Sequence, residues 1–89
     1  MLDWDDTKRR TNLAKHGVDF AEAERFDWTR VVVLTDTRRD YGEVRLRVFG
    51  MIGERLHVLV FAQRGAMIRV IRLRRANGRE FRLWNTQGR

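Results

Sequence analysis

The segment RVIRLRRANGR near the C-terminus carries arginines at a spacing that suits phosphate binding. Its arginines are Arg69, Arg72, Arg74, Arg75 and Arg79. Each guanidinium offers a rigid fork of hydrogen-bond donors that matches a phosphate, and it can also stack on a base. A solvated basic strand that prevents strand-to-strand aggregation would explain part of the same pattern. We predict a phosphate-sized patch on the last strand and at the start of the last helix.

Arg69 is the member of this set that a solvated strand explains least well. Alternation along a strand places Arg69 on the same face as Ile71 and Leu73, so its guanidinium is expected at the rim of an apolar surface. A charge in such a place is costly unless something pairs with it. Arg64, in the preceding turn, is expected nearby. Arg64, Arg69 and Arg74 are therefore candidate phosphate ligands.

The segment KHG places Lys15 and His16 directly before Gly17. Histidine is the side chain best suited to proton transfer near neutral pH, which makes His16 a candidate acid or base. The dipole at the end of a helix also favours cations there, so a purely structural role explains the segment equally well. The second histidine, His57, is in the middle of a predicted strand and is interpreted as a core or interface residue.

The polar segment from residue 36 to residue 43, DTRRDYGE, combines acidic, basic and aromatic side chains next to Arg45. In an RNA site, Tyr41 could stack on an exposed base, and Glu43 could act as a base or orient an arginine. An ordinary polar loop would also account for this composition. Tyr41 and Arg45 join Arg72, Arg75 and Arg79 as candidate RNA-binding residues.

The sequence shows no pattern typical of a metal site. It contains no cysteine and two separated histidines, and its acidic residues form no tight cluster. We therefore expect no metal and no other cofactor. RNA can be cleaved without a metal when its 2′-hydroxyl attacks the adjacent phosphate, if the protein supplies a proton acceptor, a proton donor and fixed cations.

The charge of the chain indicates a polyanionic partner. The 89 residues carry a formal net charge of +7, and residues 44–89 hold eleven basic and two acidic side chains. Because nearly all the cations are arginines, nucleic acid is favoured over a membrane surface. The length predicts one domain over residues 1–89. Without a signal-like start or a membrane-length apolar run, the protein is expected in the cytoplasm.

Two helices are predicted before residue 30. Asp5 or Asp6 can cap a first helix through KRRTNLAKH, and Gly17 is placed to end it. Asp19 and Glu22 form a capping box for a second, short helix, FAEAERFDW. The apolar residues on one face of this second helix are Phe20, Ala23 and Phe26.

From Val31 the sequence alternates in β-branched residues, which predicts four strands: VVVLTDT, EVRLRVFGMIG, ERLHVLVFAQR and MIRVIRLR. In the second strand one face is expected in the core and the other is expected to be charged. The apolar positions of this strand are Val44, Leu46 and Val48, and the charged ones are Glu43, Arg45 and Arg47. The third strand is apolar on both faces and is expected to be central. Short glycine-containing links predict an antiparallel meander.

A second capping box, Asn77 to Glu80, opens a C-terminal helix in which Phe81 and Trp84 can pack on the sheet. The predicted fold class is therefore α+β. It has two N-terminal helices, a four-stranded and mainly antiparallel sheet, and a C-terminal helix.

Taken in order, these residues resemble the BrnT toxins of type II toxin–antitoxin systems. The resemblance spans about residues 4–82. It is carried by Trp4-Asp5, Lys8, Asn12, KHGVDF (residues 15–20), Ala23, DYGE (residues 40–43), Arg45, Arg64-Gly65, IRVI (residues 68–71), RRA (residues 74–76) and Arg79-Glu80. The order and spacing of these motifs, rather than any single one, identify the family.

The resemblance implies a RelE-like ribonuclease that cleaves cellular RNA and arrests growth. It also implies a BrnA-like antitoxin with a ribbon–helix–helix domain, through which alone the complex would bind operator DNA. The family roles carried over as active-site residues fall on Lys15, His16, Glu43, Arg64, Arg69 and Arg74.

Two other functions remain open from the sequence. A non-catalytic nucleic-acid-binding module would use the arginines for phosphate contacts and leave RNA intact. A protein that only binds an acidic partner would have no affinity for RNA. A homodimer of the free protein is a further alternative.

Overall fold

The computed structural model describes residues 2–87. In chain order its elements are β1 (Leu2–Asp3), α1 (Asp6–His16), a 3₁₀ helix (Phe20–Arg25), β2 (Val32–Thr35), β3 (Arg45–Ile52), β4 (Arg55–Arg64), β5 (Met67–Arg75) and α2 (Gly78–Gln87). The predicted α+β class is confirmed. No helix within this described part is long and apolar enough to cross a membrane.

Helix α1 begins and ends as its sequence predicts. The Asp5 carboxylate accepts a hydrogen bond from the Lys8 backbone N–H at 3.0 Å, which satisfies a donor that the first turn leaves free. At the other end, Gly17 adopts a left-handed conformation with φ of 72°, and its N–H donates to the Leu13 carbonyl at 2.8 Å. The chain therefore turns sharply after His16.

The predicted second helix is shorter than expected and is wound as a 3₁₀ helix. Asp19 caps it through the Ala21 N–H, but the Glu22 carboxylate binds Arg25 at 3.0 Å instead of closing a capping box. The residues predicted to share a face, Phe20, Ala23 and Phe26, are all buried. Their spacing of three residues fits the three residues per turn of a 3₁₀ helix, which places all three against the core.

The sheet has five strands rather than the predicted four, in the order β1-β5-β4-β3-β2. The meander from β2 to β5 is antiparallel, as predicted. The additional strand, β1, pairs in parallel with β5 at Ile68 and Arg69. Two residues are too few to show alternation, so no pattern predicted this strand. It makes the sheet mixed.

Both faces of the sheet are covered in part. On the first face, Phe20 and its neighbours in the 3₁₀ helix form one core with Val48 of β3. On the second face, Trp84 of α2 packs with Phe49 in a separate core. Leu46 and Val48 face the first core and Arg45 and Arg47 lie on the opposite, charged side, as predicted, but Phe49 on the charged side is also buried. Val44, predicted to face the core, is exposed because β3 begins one residue later.

The third predicted strand is central and buried on both faces, as expected. The fourth, β5, contains a bulge that its alternation did not indicate. Val70 pairs with Phe61 and Arg72 with Val60, which leaves Ile71 without a partner. As a result Ile71 packs in the second core while Leu73 belongs to the first. The prediction that Arg69 shares a face with Leu73 is therefore wrong.

The capping box of α2 forms as predicted. The Glu80 N–H donates to Asn77 Oδ1 at 2.8 Å, and the Asn77 N–H donates to Glu80 Oε1 at 2.9 Å. Trp84 is buried, and its indole N–H donates to the Arg30 carbonyl at 3.2 Å. Phe81, predicted to pack on the sheet, is 46% exposed because Trp84 occupies the helix face that meets the sheet.

One buried side chain joins α1 to the edge of β5 beyond the short β1. The Asn12 amide donates to the Leu73 carbonyl at 2.7 Å and to the Val18 carbonyl at 3.0 Å. Its oxygen accepts from the Leu73 N–H at 3.3 Å. Asn12 thus replaces a neighbouring strand at this edge, and it holds the end of α1 beside the bulge of β5.

Candidate nucleic-acid interface

Four arginines line the part of the second sheet face that lies beyond α2. The pairing register places them across β4 in two rows, Arg45–Ala62–Arg69 and Arg47–Val60–Arg72. Residues paired directly across strands lie on the same face. Since neighbouring strands are about 4.8 Å apart, the arginines of β3 and β5 flank a strip about 10 Å wide. We call Arg45, Arg47, Arg69 and Arg72 the arginine face.

Two acidic residues border this surface and hold arginines in place. Arg69 Nη1 lies 2.7 Å from the Asp3 carboxylate, and this hydrogen bond lowers the pKa of Asp3. Arg64 Nη2 lies 3.0 Å from Glu43, whose second oxygen is 3.6 Å from Arg45 Nε. Asp3 of β1 therefore balances the charge of Arg69 at the rim of the apolar surface, for which alternation alone offered no partner.

Arg74 is engaged with α2 rather than free. Its two terminal nitrogens donate to the two Glu80 oxygens at 2.9 and 2.7 Å. The Arg74 guanidinium lowers the pKa of the Glu80 carboxyl, so the pair stays charged at neutral pH. The same carboxylate closes the capping box of α2. Arg74 therefore fixes the start of α2 on the sheet.

Arg47 and Arg72 differ from the four arginines that pair with acidic residues. Among residues 2–87, neither forms an ion pair with an acidic side chain. Arg72 is exposed, whereas Arg47 is half-buried. In the same part of the chain, the Nε atoms of Arg45 and Arg47 are buried and have no hydrogen-bond partner. The exposed Arg72 guanidinium, rather than these buried atoms, is therefore the group of the pair that an anion can reach.

Two cavities open beside the arginine face and share a wall formed by Ile71 and Arg72. The first, the loop cavity, measures about 310 Å³ and is also lined by Arg38, Arg39, Tyr41 and Arg45. The second, the helix cavity, measures about 220 Å³ and is also lined by Thr7, Lys8, Thr11, Lys15 and His16. Because the bulge displaces Ile71 from its strand partner, β5 presents both shared residues at the junction.

The loop cavity owes its shape to a buried carboxylate that the sequence analysis did not single out. Asp36 accepts hydrogen bonds from Arg38 Nε and Nη2, each at 2.9 Å, and from the Tyr41 hydroxyl at 3.2 Å. The Arg38 guanidinium holds the pKa of Asp36 well below its ordinary value. The Tyr41 ring is thereby fixed under Arg45, whose Cζ lies 3.9 Å from the ring centroid.

The helix cavity contains the predicted proton-transfer residues. Partial burial lowers the pKa of His16 below the ordinary 6.5, and the charges of Lys15, Arg72 and Arg74 lower it further. The imidazole is therefore neutral at pH 7 and able to accept a proton. Lys15 is exposed beside it at the end of α1.

The structure brings together most of the predicted site residues. Lys15, His16, Tyr41, Arg45 and Arg72 line the two cavities. Glu43, Arg64 and Arg69 form the ion pairs at the border, and Arg74 lies beside them against α2. Arg47 was missed as a site residue. Its position two residues after Arg45 was the available signal, since both alternate onto one face.

Two predicted RNA-binding residues line neither of the two cavities. Arg75 pairs with His57, whose neighbours Leu59 and Phe61 belong to the first face. Arg79 is exposed on the first turn of α2. Their roles stay predictions. His57 itself is buried, which agrees with its interpretation as a core residue. Its Nδ1 lies 2.9 Å from the Arg55 carbonyl oxygen.

Comparison with known proteins assigns the chain to a family. The family model of the ribonuclease toxin BrnT of type II toxin–antitoxin systems matches residues 4–80. No curated protein matches the chain at a significant level. Within residues 2–87, no three His, Cys, Asp or Glu side chains come together as a metal site. The matched segment contains the lining residues of both cavities. The chain therefore belongs to the BrnT family of ribonuclease toxins of type II toxin–antitoxin systems.

Proposed function

We propose that this toxin cleaves RNA without a metal, and that the arginine face with its two cavities is the active site. The position of Arg72 is the main observation that supports the proposal. This arginine is exposed, has no acidic partner among residues 2–87, and separates the cavity of Lys15 and His16 from that of Tyr41. A phosphate bound there would lie between a proton-transfer site and a base-stacking site.

The proposed reaction is an internal transfer of the phosphodiester. The 2′-oxygen forms a bond to phosphorus, and the bond from phosphorus to the 5′-oxygen breaks. Neutral His16 accepts the 2′ proton, and the leaving 5′-oxygen takes a proton from Lys15; exchange with water restores both groups. Arg72 stabilises the charge that develops on the phosphoryl oxygens. The products are a 2′,3′-cyclic phosphate and a 5′-hydroxyl.

The remaining active-site predictions take supporting roles in this proposal. Glu43 contacts Arg64 and Arg45, so we assign it to orienting these arginines rather than to proton transfer. Arg64 and Arg69 add positive charge at the border of the site. Arg74 acts through its contact with Glu80 and through its charge beside His16. It is a positioning residue.

The proposal extends to the partner of the toxin. A BrnA-like ribbon–helix–helix antitoxin would neutralise it in the cytoplasm, and the complex would bind operator DNA through the antitoxin. The +7 charge of the toxin favours an acidic contact surface on that partner. Coexpression with the neighbouring gene product should restore growth, and a failure to restore it would contradict this pairing.

Cleavage in the presence of excess chelator tests the proposal. The purified toxin should cut RNA and leave 2′,3′-cyclic phosphate ends, and Arg72→Ala and Lys15→Ala should each lower the rate at least about a hundredfold. Arg55→Ala removes the same charge at the opposite end of β4 from Arg64 and is the control. Full activity in both site variants, or activity that needs an added metal, would contradict the proposal. Binding without any cleavage would favour the non-catalytic alternative.

A further inference from the structure

The two cavities meet at one residue that suits a phosphate. Ile71 and Arg72 form the wall between them, so a group bound to Arg72 is within reach of both. Each cavity, at about 310 and 220 Å³, is at or below the lower end of the volumes that hold a small ligand. This arrangement provides one phosphate position flanked by two compartments of nucleoside size.

The loop cavity offers a flat stacking surface, and its acceptor groups are already bonded, although the exposed Arg39 guanidinium also lines it. The centroid of the Tyr41 ring lies 3.9 Å from Arg45 Cζ, and the Tyr41 hydroxyl is already bonded to Asp36. The oxygens of Asp36 are bonded to Arg38 as well. A base in this cavity would therefore be held by stacking on the ring or on the guanidinium. Stacking tolerates any base, because every base has a π face.

The helix cavity offers hydroxyl groups instead. Thr7 and Thr11 are one turn apart on the face of α1 that carries Lys8 and Lys15, and all four line this cavity. Both threonines are exposed. A hydroxyl can donate or accept a hydrogen bond at the edge of a base, and bonds of this kind distinguish one base from another.

We propose that the minimal substrate of this toxin is a dinucleoside monophosphate, with its phosphate on Arg72 and one nucleoside in each cavity. The inference rests on the proposed function. It implies that cleavage needs neither a long RNA nor a ribosome. It also implies unequal selectivity: Thr7 and Thr11 distinguish the base in the helix cavity, whereas the base in the loop cavity is held mainly by stacking, which discriminates little.

The test uses the sixteen dinucleoside 3′,5′-monophosphates with the intact toxin and excess chelator. Cleavage should give a nucleoside 2′,3′-cyclic phosphate, and kcat/KM should vary with the base at one position and little with the base at the other. Thr11→Val, which exchanges a hydroxyl for a methyl, should flatten this variation. Thr86→Val on α2, also an exposed helical threonine, should leave it unchanged.

The loop cavity has its own pair of variants. Tyr41→Leu should raise KM for all sixteen substrates by about tenfold, the typical effect of losing one base stack. Tyr41→Phe keeps the ring but loses its bond to Asp36, so it should raise KM less than Tyr41→Leu does. It also reports on the fold, because it removes only the bond to Asp36.

The outcomes separate the inference from the proposed function. If long RNA is cut to cyclic ends but no dinucleoside phosphate is cut, the inference is wrong and the proposed function stands. If neither is cut, both fail. If the dinucleoside phosphates are cut but neither Thr11→Val nor Tyr41→Leu changes the kinetics, the assignment of nucleosides to the two cavities is wrong.

Discussion

At the scale of single residues, the chemistry of the site depends on charges placed around His16. Lys15 is its neighbour in the chain, whereas Arg72 and Arg74 reach it from β5. Sequence reasoning found His16 because histidines are few. It could not find the lowered pKa, because that requires the contact between the end of α1 and the bulge of β5. The same holds for Asp36, whose burial depends on the fold of the loop.

The pKa of His16 gives a prediction of pH dependence. Because the folded pKa lies below the ordinary 6.5, the imidazole stays neutral down to a lower pH than usual. Activity should therefore persist at pH 6.5 and fall only as the pH drops through the lowered pKa, where His16 becomes protonated. The pH profile of kcat/KM checks this expectation. An acidic limb above pH 7 would contradict it.

A direct titration can identify the cause of this shift. Arg72→Gln removes one nearby cation, so the pKa of His16 should rise toward its ordinary value. Arg55→Gln, at the far end of β4, should leave it unchanged. The measurement is the NMR titration of the imidazole protons, with His16→Gln to assign the signal. If both substitutions raised the pKa of His16 equally, the proximity of Arg72 would not be the cause of the shift.

At the scale of elements, the site is held by contacts that local patterns do not reveal. Helix boundaries and the meander followed from caps, turns and alternation. Strand β1 is too short for a pattern, and the bulge at Ile71 interrupts the alternation of β5. The 3₁₀ helix was predicted at its position, but its winding depends on the packing of Phe20, Ala23 and Phe26. These three features place the arginine face beside α1.

The contact of Asn12 with β5 should be essential for this placement. Asn12→Ala leaves the Leu73 N–H and the Leu73 and Val18 carbonyls without their buried partner, and it should lower the free energy of unfolding by about 3 kcal/mol. Arg10→Ala, on an exposed position of α1, should change it by less than about 0.5 kcal/mol. Urea denaturation measures both. Equal stabilities would contradict this role for Asn12.

Helix α2 should depend on Trp84 much more than on Phe81. Trp84 is 5% exposed in the second core, so Trp84→Ala should cost about 3–5 kcal/mol of unfolding free energy. Phe81 is 46% exposed, and Phe81→Ala should cost less than about 1 kcal/mol. Thermal or urea unfolding compares the two variants. A larger loss for Phe81→Ala would mean that α2 packs through its other face.

At the scale of the whole molecule, the positive charge is divided between the two sheet faces. The composition predicted a polyanion partner and a basic second half, but it did not separate Arg72 on one face from Arg75 on the other. Plain alternation separates these two residues, whereas the bulge at Ile71 is what places Arg69 and Arg72 on the same face. The resemblance to the BrnT family did not require knowledge of these faces, because the order of motifs along the chain is independent of where each side chain points.

Salt dependence tests this division. Binding of an RNA with 2′-deoxy substitutions, which cannot be cleaved, should weaken as salt rises, because phosphate contacts release counterions. Arg72→Ala should reduce the slope of log K against log salt by about 1, the change expected for one phosphate contact. Arg55→Ala should leave the slope unchanged. A smaller slope for Arg55→Ala than for Arg72→Ala would place RNA on the other face.

The most direct measurement of where RNA binds is an NMR titration of the toxin with a 2′-O-methylated dinucleoside phosphate, which cannot form the cyclic product. The largest amide shifts are expected at Ile71 and Arg72, with further shifts at Lys15, His16 and Tyr41 on the two sides of that junction. Shifts confined to the first sheet face, around Arg75 and Arg55, would contradict this expectation.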